Sequence, residues 1–241
     1  MATPAGTRTL TATAAGPTVA QLLRELPNDA SASAATVDVV PGTADDPRGL
    51  GLSASALPLV LAGMVAGTAA TFLAPAGLRR VGLIAAMAIL AGLAATAIVQ
   101  GWLGVIGGDW AANWAALSLT VLSIGALVGG LEALLGRAGI GVAAALMVVV
   151  GNAFSAMSSA PEMLPRPAGA IGQLLPPGAG GNLLRSTGFF DGARTGEHIA
   201  VLAAWSLLGL AALLVAVARN RPRAVPAAVP AAQAPQPSRS G

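Results

Sequence analysis

Cysteine, lysine and tyrosine are absent from this chain, and histidine occurs once, as His198. Without cysteine there is no disulfide framework, thiol nucleophile or thiolate metal site. A single histidine excludes a multi-histidine metal centre. All 13 basic residues are arginine. A phosphate-binding loop needs its lysine to reach the phosphates, so the chain is not a standard ATPase by itself. Schiff-base chemistry is excluded on the same ground. Charge of either sign is scarce, 10% of residues against roughly 25% in soluble domains. The pI of about 11.3 reflects missing Lys, Tyr and Cys, because the net charge is only +3. There is no basic patch of the kind that nucleic acid requires, and no metal or cofactor is expected.

What is present is hydrophobic: 55% of the residues. Such a chain belongs in a membrane. Uncharged runs extend from Arg48 to Arg79, Arg80 to Asp109, Asp109 to Glu132, Arg137 to Glu162 and His198 to Arg219. Each holds about 20 apolar residues, enough to cross about 30 Å of hydrocarbon as a helix. Helices are predicted near 55–75, 81–101, 112–135, 138–157 and 198–218. The arginines set the orientation. Arg79, Arg80, Arg137, Arg219, Arg221 and Arg223 fall on one set of connections, almost without acids. Asp109, Glu162, Asp191 and Glu197 fall on the other, with Arg166, Arg185 and Arg194. The first set is assigned to the cytoplasm, so the N-terminus lies outside and the C-terminus inside. Trp102, Trp110 and Trp114 cluster at one predicted outer boundary, where indole rings favour the headgroup layer.

The expected organisation is an external segment (1–50), a transmembrane domain (51–220) and a disordered tail (221–241). In the external segment, "TRTLTATA" and "ATVDVVPG" read as strands. Between them "PTVAQLLREL" sets Val19, Leu22, Leu23 and Leu26 at helical spacing, with Pro17 suited to the first turn. A piece this small buries too little surface to stand alone; it is expected to dock on something else or to be the remnant of a larger α/β domain. The tail is rich in Pro and Ala. Within the spans, Gly63 with Gly67 and Gly125 with Gly129 have the four-residue spacing that lets helices approach closely, within the chain or between two copies. Glu132 lies near a span end and is expected to snorkel toward the interface beside Arg137.

Residues 158–197 are external by this topology and cannot cross a bilayer. Prolines 161, 165, 167, 176 and 177 break the helix. They leave two short apolar pieces, Ala168–Leu175 and Asn182–Phe190. The expectation is a re-entrant or interfacial hairpin turning at Pro176–Pro177–Gly178. Ile171, Leu175 and Leu184 would be protected and Arg185 would sit near the aqueous rim beside Glu162 or Asp191. The stretch "GNAFSAMSSAPEMLPRPAGAIGQLLPPGAGGNLLRSTGFFDG" (151–192) resembles the segment before the last helix of actinobacterial type-2 ABC exporter permeases and the related phage-infection-protein-like membrane proteins. Gly151, Asn152, Pro161, Glu162, Pro165, Pro176, Pro177, Gly178, Arg185 and Asp191 carry the resemblance. Position 153 is Ala where that family commonly has Pro. "DVVPGTADDPRGLGLSASALPLVLAG" (38–63) resembles the junction between the family's external domain and its second helix. The family pattern has six spans, and its first helix is missing here, as in a shortened form.

The resemblance implies an all-α integral membrane protein with five spans here, in the plasma membrane. Its implied function is that of a permease subunit for export, working as a homodimer or paired permease. A separate ATP-binding subunit would engage it at the Arg79–Arg80 and Arg137 loops. The alternative from another class is a non-transporting surface receptor or envelope scaffold. An intramembrane enzyme is not expected, since no His or Lys is placed to activate a serine in a span and no paired carboxylates lie there.

Overall fold

Each of the five uncharged runs expected to span forms a long helix. The computed structural model describes residues 9–25 and 36–219. Two short strands, β1 (Thr9–Thr11) and β2 (Thr36–Asp38), pair in parallel and flank helix α1 (Pro17–Glu25). The spans are α2 (Leu50–Leu73), α3 (Leu78–Trp102), α4 (Trp110–Leu135) and α5 (Arg137–Phe154), then, after a helical hairpin, α8 (Thr195–Arg219). All five are long and apolar enough to cross a membrane. The hairpin consists of α6 (Ala168–Gln173) and α7 (Pro176–Phe189). Leu26, Arg221, Arg223 and the predicted disordered tail lie outside the described residues.

Helix α4 is the axis of the bundle. Ile124, Val121 and Val128 on it are fully buried, and α2, α3, α5, α7 and α8 all pack against it. Small residues permit the close approaches. A Cβ placed on Gly67 would stand 2.7 Å from the Gly125 carbonyl oxygen, and one on Gly130 would stand 2.3 Å from the Gly209 carbonyl oxygen. Gly63 fits against Ile124, and Gly129 against Ile84 of α3. Both glycine pairs singled out in the sequence thus serve contacts within the chain. Without a hydrophobic drive between helices in lipid, such approach supplies much of the packing energy.

The helix ends follow from their sequences. Asp109 caps α4 by accepting from the Ala112 N–H at 2.7 Å, and Asp46 accepts from Leu50 and Gly51 at the start of α2. The last turns of α3 (Ala97–Trp102) and the end of α5 (Ala145–Gly151) widen to π-type spacing. Helix α5 runs on through Gly151–Asn152 to Phe154. Ala153 supplies the backbone N–H that a proline would remove.

The hairpin differs from its expected form. Pro176 and Pro177 are not its turn but the first residues of α7, and the turn falls at Leu174–Leu175. Proline is at home in the first turn of a helix, where its missing N–H would have had no partner. The helix start is buried, so the two prolines remove two N–H groups that would be hard to satisfy there.

Candidate functional site

Two ends of the bundle and one flank hold the polar side chains. At the end where α2 passes into α3, Arg80 is 5% exposed. Its Nη1 donates to Glu132 Oε2 at 2.6 Å, and its Nε and Nη2 donate to the carbonyls of Ala74 and Thr71. One arginine from the start of α3 therefore satisfies carbonyls at the end of α2 and pairs with a carboxylate in the last turns of α4. Cationic groups suit that position because the end of a helix is its negative pole. Glu132 pairs with Arg80, which three acceptors hold inward, and keeps part of its side chain exposed at this end. Arg80 accordingly offers no surface at this end; Arg79 and Arg137 are exposed.

At the opposite end, Asn113 is fully buried near the start of α4. Its Nδ2 donates to Gln100 Oε1 and to the Gly107 carbonyl, at 2.9 and 2.7 Å, and its Oδ1 accepts from Thr187 Oγ1 at 2.6 Å. This knot ties the α3–α4 connection to the end of α7. Trp110 and Trp114 lie beside it with ring centroids 6.1 Å apart, and Trp102 is 80% exposed.

Helix α7 descends from that rim. Gly180 lies against Thr120, ten residues beyond Trp110 on α4. The Leu174 carbonyl in the hairpin turn accepts from Trp205 Nε1 at 2.7 Å, ten residues beyond Thr195 on α8. The Leu174 contact sets the turn about 15 Å along α8, and the Gly180 contact sets the second turn of α7 about 15 Å along α4, at 1.5 Å per residue. Leu175, Leu183 and Leu184 are buried within the bundle, whereas Ile171 is 43% exposed on its surface. Ile171 lies on the short helix α6, on the outer flank of the bundle.

Arg185 was expected at the aqueous rim beside a carboxylate. It is instead 7% exposed, donating to Asn182 Oδ1 and, at 3.0 Å, to the Met157 carbonyl. Its Nε has no partner, and no ion pair involves it among the described residues. A guanidinium keeps its proton in proteins. Glu162 and Asp191 are exposed, as is Pro165, and Pro161 opens a short 3-10 turn. Asn182 Nδ2 bonds Gln173 Oε1, and Gln173 Nε2 donates to the Ser155 carbonyl at 3.2 Å. Asn152 is half-buried in α5, and Gly151 lets Pro177 approach that helix.

Between α2, the end of α3 and α7 lies an apolar cavity of about 380 Å³, walled by Leu52, Pro58, Leu59, Val99, Leu117 and Met157. Pro58 has no N–H for the Ala54 carbonyl one turn back, so α2 lacks one helical hydrogen bond where it borders the cavity. A second, more polar crevice of about 340 Å³ is lined by Ser53, Asn152, Ser155, Ser158 and Ser159. The two share Ala56 and Met157 as walls. Asn113, Gln173, Met157 and Asn182 were not singled out from the sequence. Their signal was polarity inside apolar stretches, and for Met157 there was none. Comparison with family models, with curated proteins and with solved structures finds no match to this chain.

Proposed function

We propose that this chain is the permease subunit of an exporter driven by a separate ATPase. The observation that carries the reading is the interrupted hairpin. Helix α7 starts about halfway along α4 and α8, at the depth of the bilayer centre if α4 spans about 30 Å of hydrocarbon. Broken helices at that depth are tolerated where protein or a cavity satisfies their backbone, and there they line pathways. The hairpin is read as re-entrant from the outer face of the plasma membrane, with the N-terminal segment outside and the C-terminus in the cytoplasm. The arginines at the Arg80 end support this orientation. The strand–helix–strand unit is read as the remnant of an external domain. Thr18 Oγ1 donates to the Ser158 carbonyl at 2.6 Å, holding that unit against the segment after α5.

Coupling follows from Arg79 and Arg80. Arg79 is exposed for a partner at the α2–α3 turn, while Arg80 fastens the same turn to Glu132 on the central helix. Displacing the turn therefore loads α4, against which the hairpin packs. Arg137 adds a second exposed cation at that end. Paired permeases, as homodimer or heterodimer, would complete the pathway. The test is isolation of the tagged chain from its native membrane in mild detergent, with ATP hydrolysis measured on the complex. A nucleotide-hydrolysing subunit should accompany the chain, and Arg79→Glu should weaken its retention while the chain still inserts. A chain that purifies without such a subunit while remaining folded supports the receptor or scaffold reading instead.

A further inference from the structure

Buried Arg185 is a cation that α7 holds without a counter-ion. Leaving a charge inside protein without an opposite charge is costly, and the neutral acceptors Asn182 and Met157 offset only part of that cost. The Nε–H of the same guanidinium is buried and unpartnered. An acidic group would relieve both deficits, because arginine binds phosphate and carboxylate through parallel N–H donors.

Its position relative to the two cavities suggests where such a group comes from. Met157 accepts from Arg185 with its carbonyl, while its side chain packs on Gly181 and walls the apolar cavity. The Ser53 hydroxyl donates to the same carbonyl at 2.8 Å. Met157 therefore stands between an apolar groove, a serine-lined crevice and an unpaired cation. The groove opens to the bundle's outer surface along α2, where Ala54 and Pro58 are exposed. Its volume lies in the range of about 300–1,000 Å³ typical of ligand sites. The segment carrying Met157 is tied down by side chains at Ser155, Met157 and Ser158, and Ala156 has a φ of +53°. That conformation is uncommon for a residue with a Cβ and marks a segment under local strain. A methionine side chain repacks readily.

We propose that this place binds one anionic phospholipid, its acyl chain in the apolar groove and its phosphate on Arg185, in place of the Met157 carbonyl. The serines of the crevice meet the rest of the headgroup. This site goes beyond the exporter reading and is tested without any ATPase.

The experiment uses the full chain, delipidated in detergent and offered phosphatidylglycerol or phosphatidylcholine of the same acyl composition, with bound lipid counted by native mass spectrometry. Phosphatidylglycerol should be retained about tenfold more, because the choline cation of phosphatidylcholine offsets the phosphate charge and would bring a second cation to the unpaired Arg185. Arg185→Gln should bring that ratio close to one, and Arg185→Lys should keep part of it. Ala54→Trp, at an exposed position on the groove, should lower retention of phosphatidylglycerol with helicity unchanged. Equal retention of the two lipids by the unmodified protein overturns the proposal, as does a ratio that Arg185→Gln leaves intact. Displacement of the lipid by millimolar inorganic phosphate alone would mean a plain anion site and would overturn the acyl-chain part. If Arg185→Gln does not fold, the headgroup comparison on the unmodified protein and the Ala54→Trp variant still decide. Absence of an ATPase partner would leave all these results standing, so the two readings fail separately.

Discussion

Arg79 and Arg80 are neighbours with opposite surroundings, and substitutions should separate them. Arg80 holds Glu132 and two carbonyls from a buried position, whereas Arg79 is exposed. Arg80→Ala should destabilise the bundle by about 3 kcal/mol, the low end for breaking a buried pair, because Glu132 keeps contact with solvent. Arg79→Ala should change stability by less than about 0.5 kcal/mol, as surface substitutions usually do. Unfolding midpoints in mixed micelles measure both, and equal losses would contradict the inward role of Arg80. Pro176 is the second residue where one atom matters. Pro176→Ala adds a backbone N–H at the buried start of α7 and should cost about 1–3 kcal/mol, the penalty of an unsatisfied buried donor. A variant as stable as the parent would mean that this N–H finds water, and the helix start would then be wet.

At the scale of elements, the hairpin and the helix contacts make separate claims. In a cysteine scan of α6 and α7 with a lipid-soluble maleimide, Ile171→Cys and Leu174→Cys should react and Leu183→Cys and Leu184→Cys should stay blocked. The first two positions are 43% and 62% exposed and the last two are 2% exposed each. Uniform reaction along both helices would mean a loop loosely attached to the bundle. The α2–α4 contact depends on backbone approach at Gly67. Gly67→Val forces side-chain atoms against the Gly125 carbonyl and Val128, and overpacking of this kind costs about 1–3 kcal/mol. The same change at Gly101, whose Cβ would meet nothing within 4 Å, is the control and should leave the unfolding midpoint in place.

For the whole molecule, the testable property is sidedness. Asp109 caps the start of α4 and Arg137 follows its end, so the two lie at opposite ends of α4. Asp109→Cys should react with an impermeant reagent added to intact cells, and Arg137→Cys only after the membrane is opened. Arg79, Arg80 and Arg219 remain to hold the orientation when Arg137 is replaced. Reaction of both positions from outside would reject the orientation proposed here.

The spans were legible in the chain because their signal is local and additive: uninterrupted apolar runs bounded by charges suffice, and all five runs became helices. The strand–helix–strand order near the N-terminus was legible chiefly through α1, whose apolar residues recur at helical spacing. The prolines at 176 and 177 announced a break, but local rules allow a proline pair either in a turn or at a helix start. The choice depended on α4 and α8, whose contacts with Gly180 and Leu174 let α7 begin where its first N–H groups are best absent. Partners of charged groups were least legible. Arg80 and Glu132 are far apart along the chain yet meet at 2.6 Å, and Arg185 lies near two carboxylates in sequence but pairs with neither. Hydropathy records how costly burial of a charge is, while the packing of helices around α4 settles which charges are buried and what faces them.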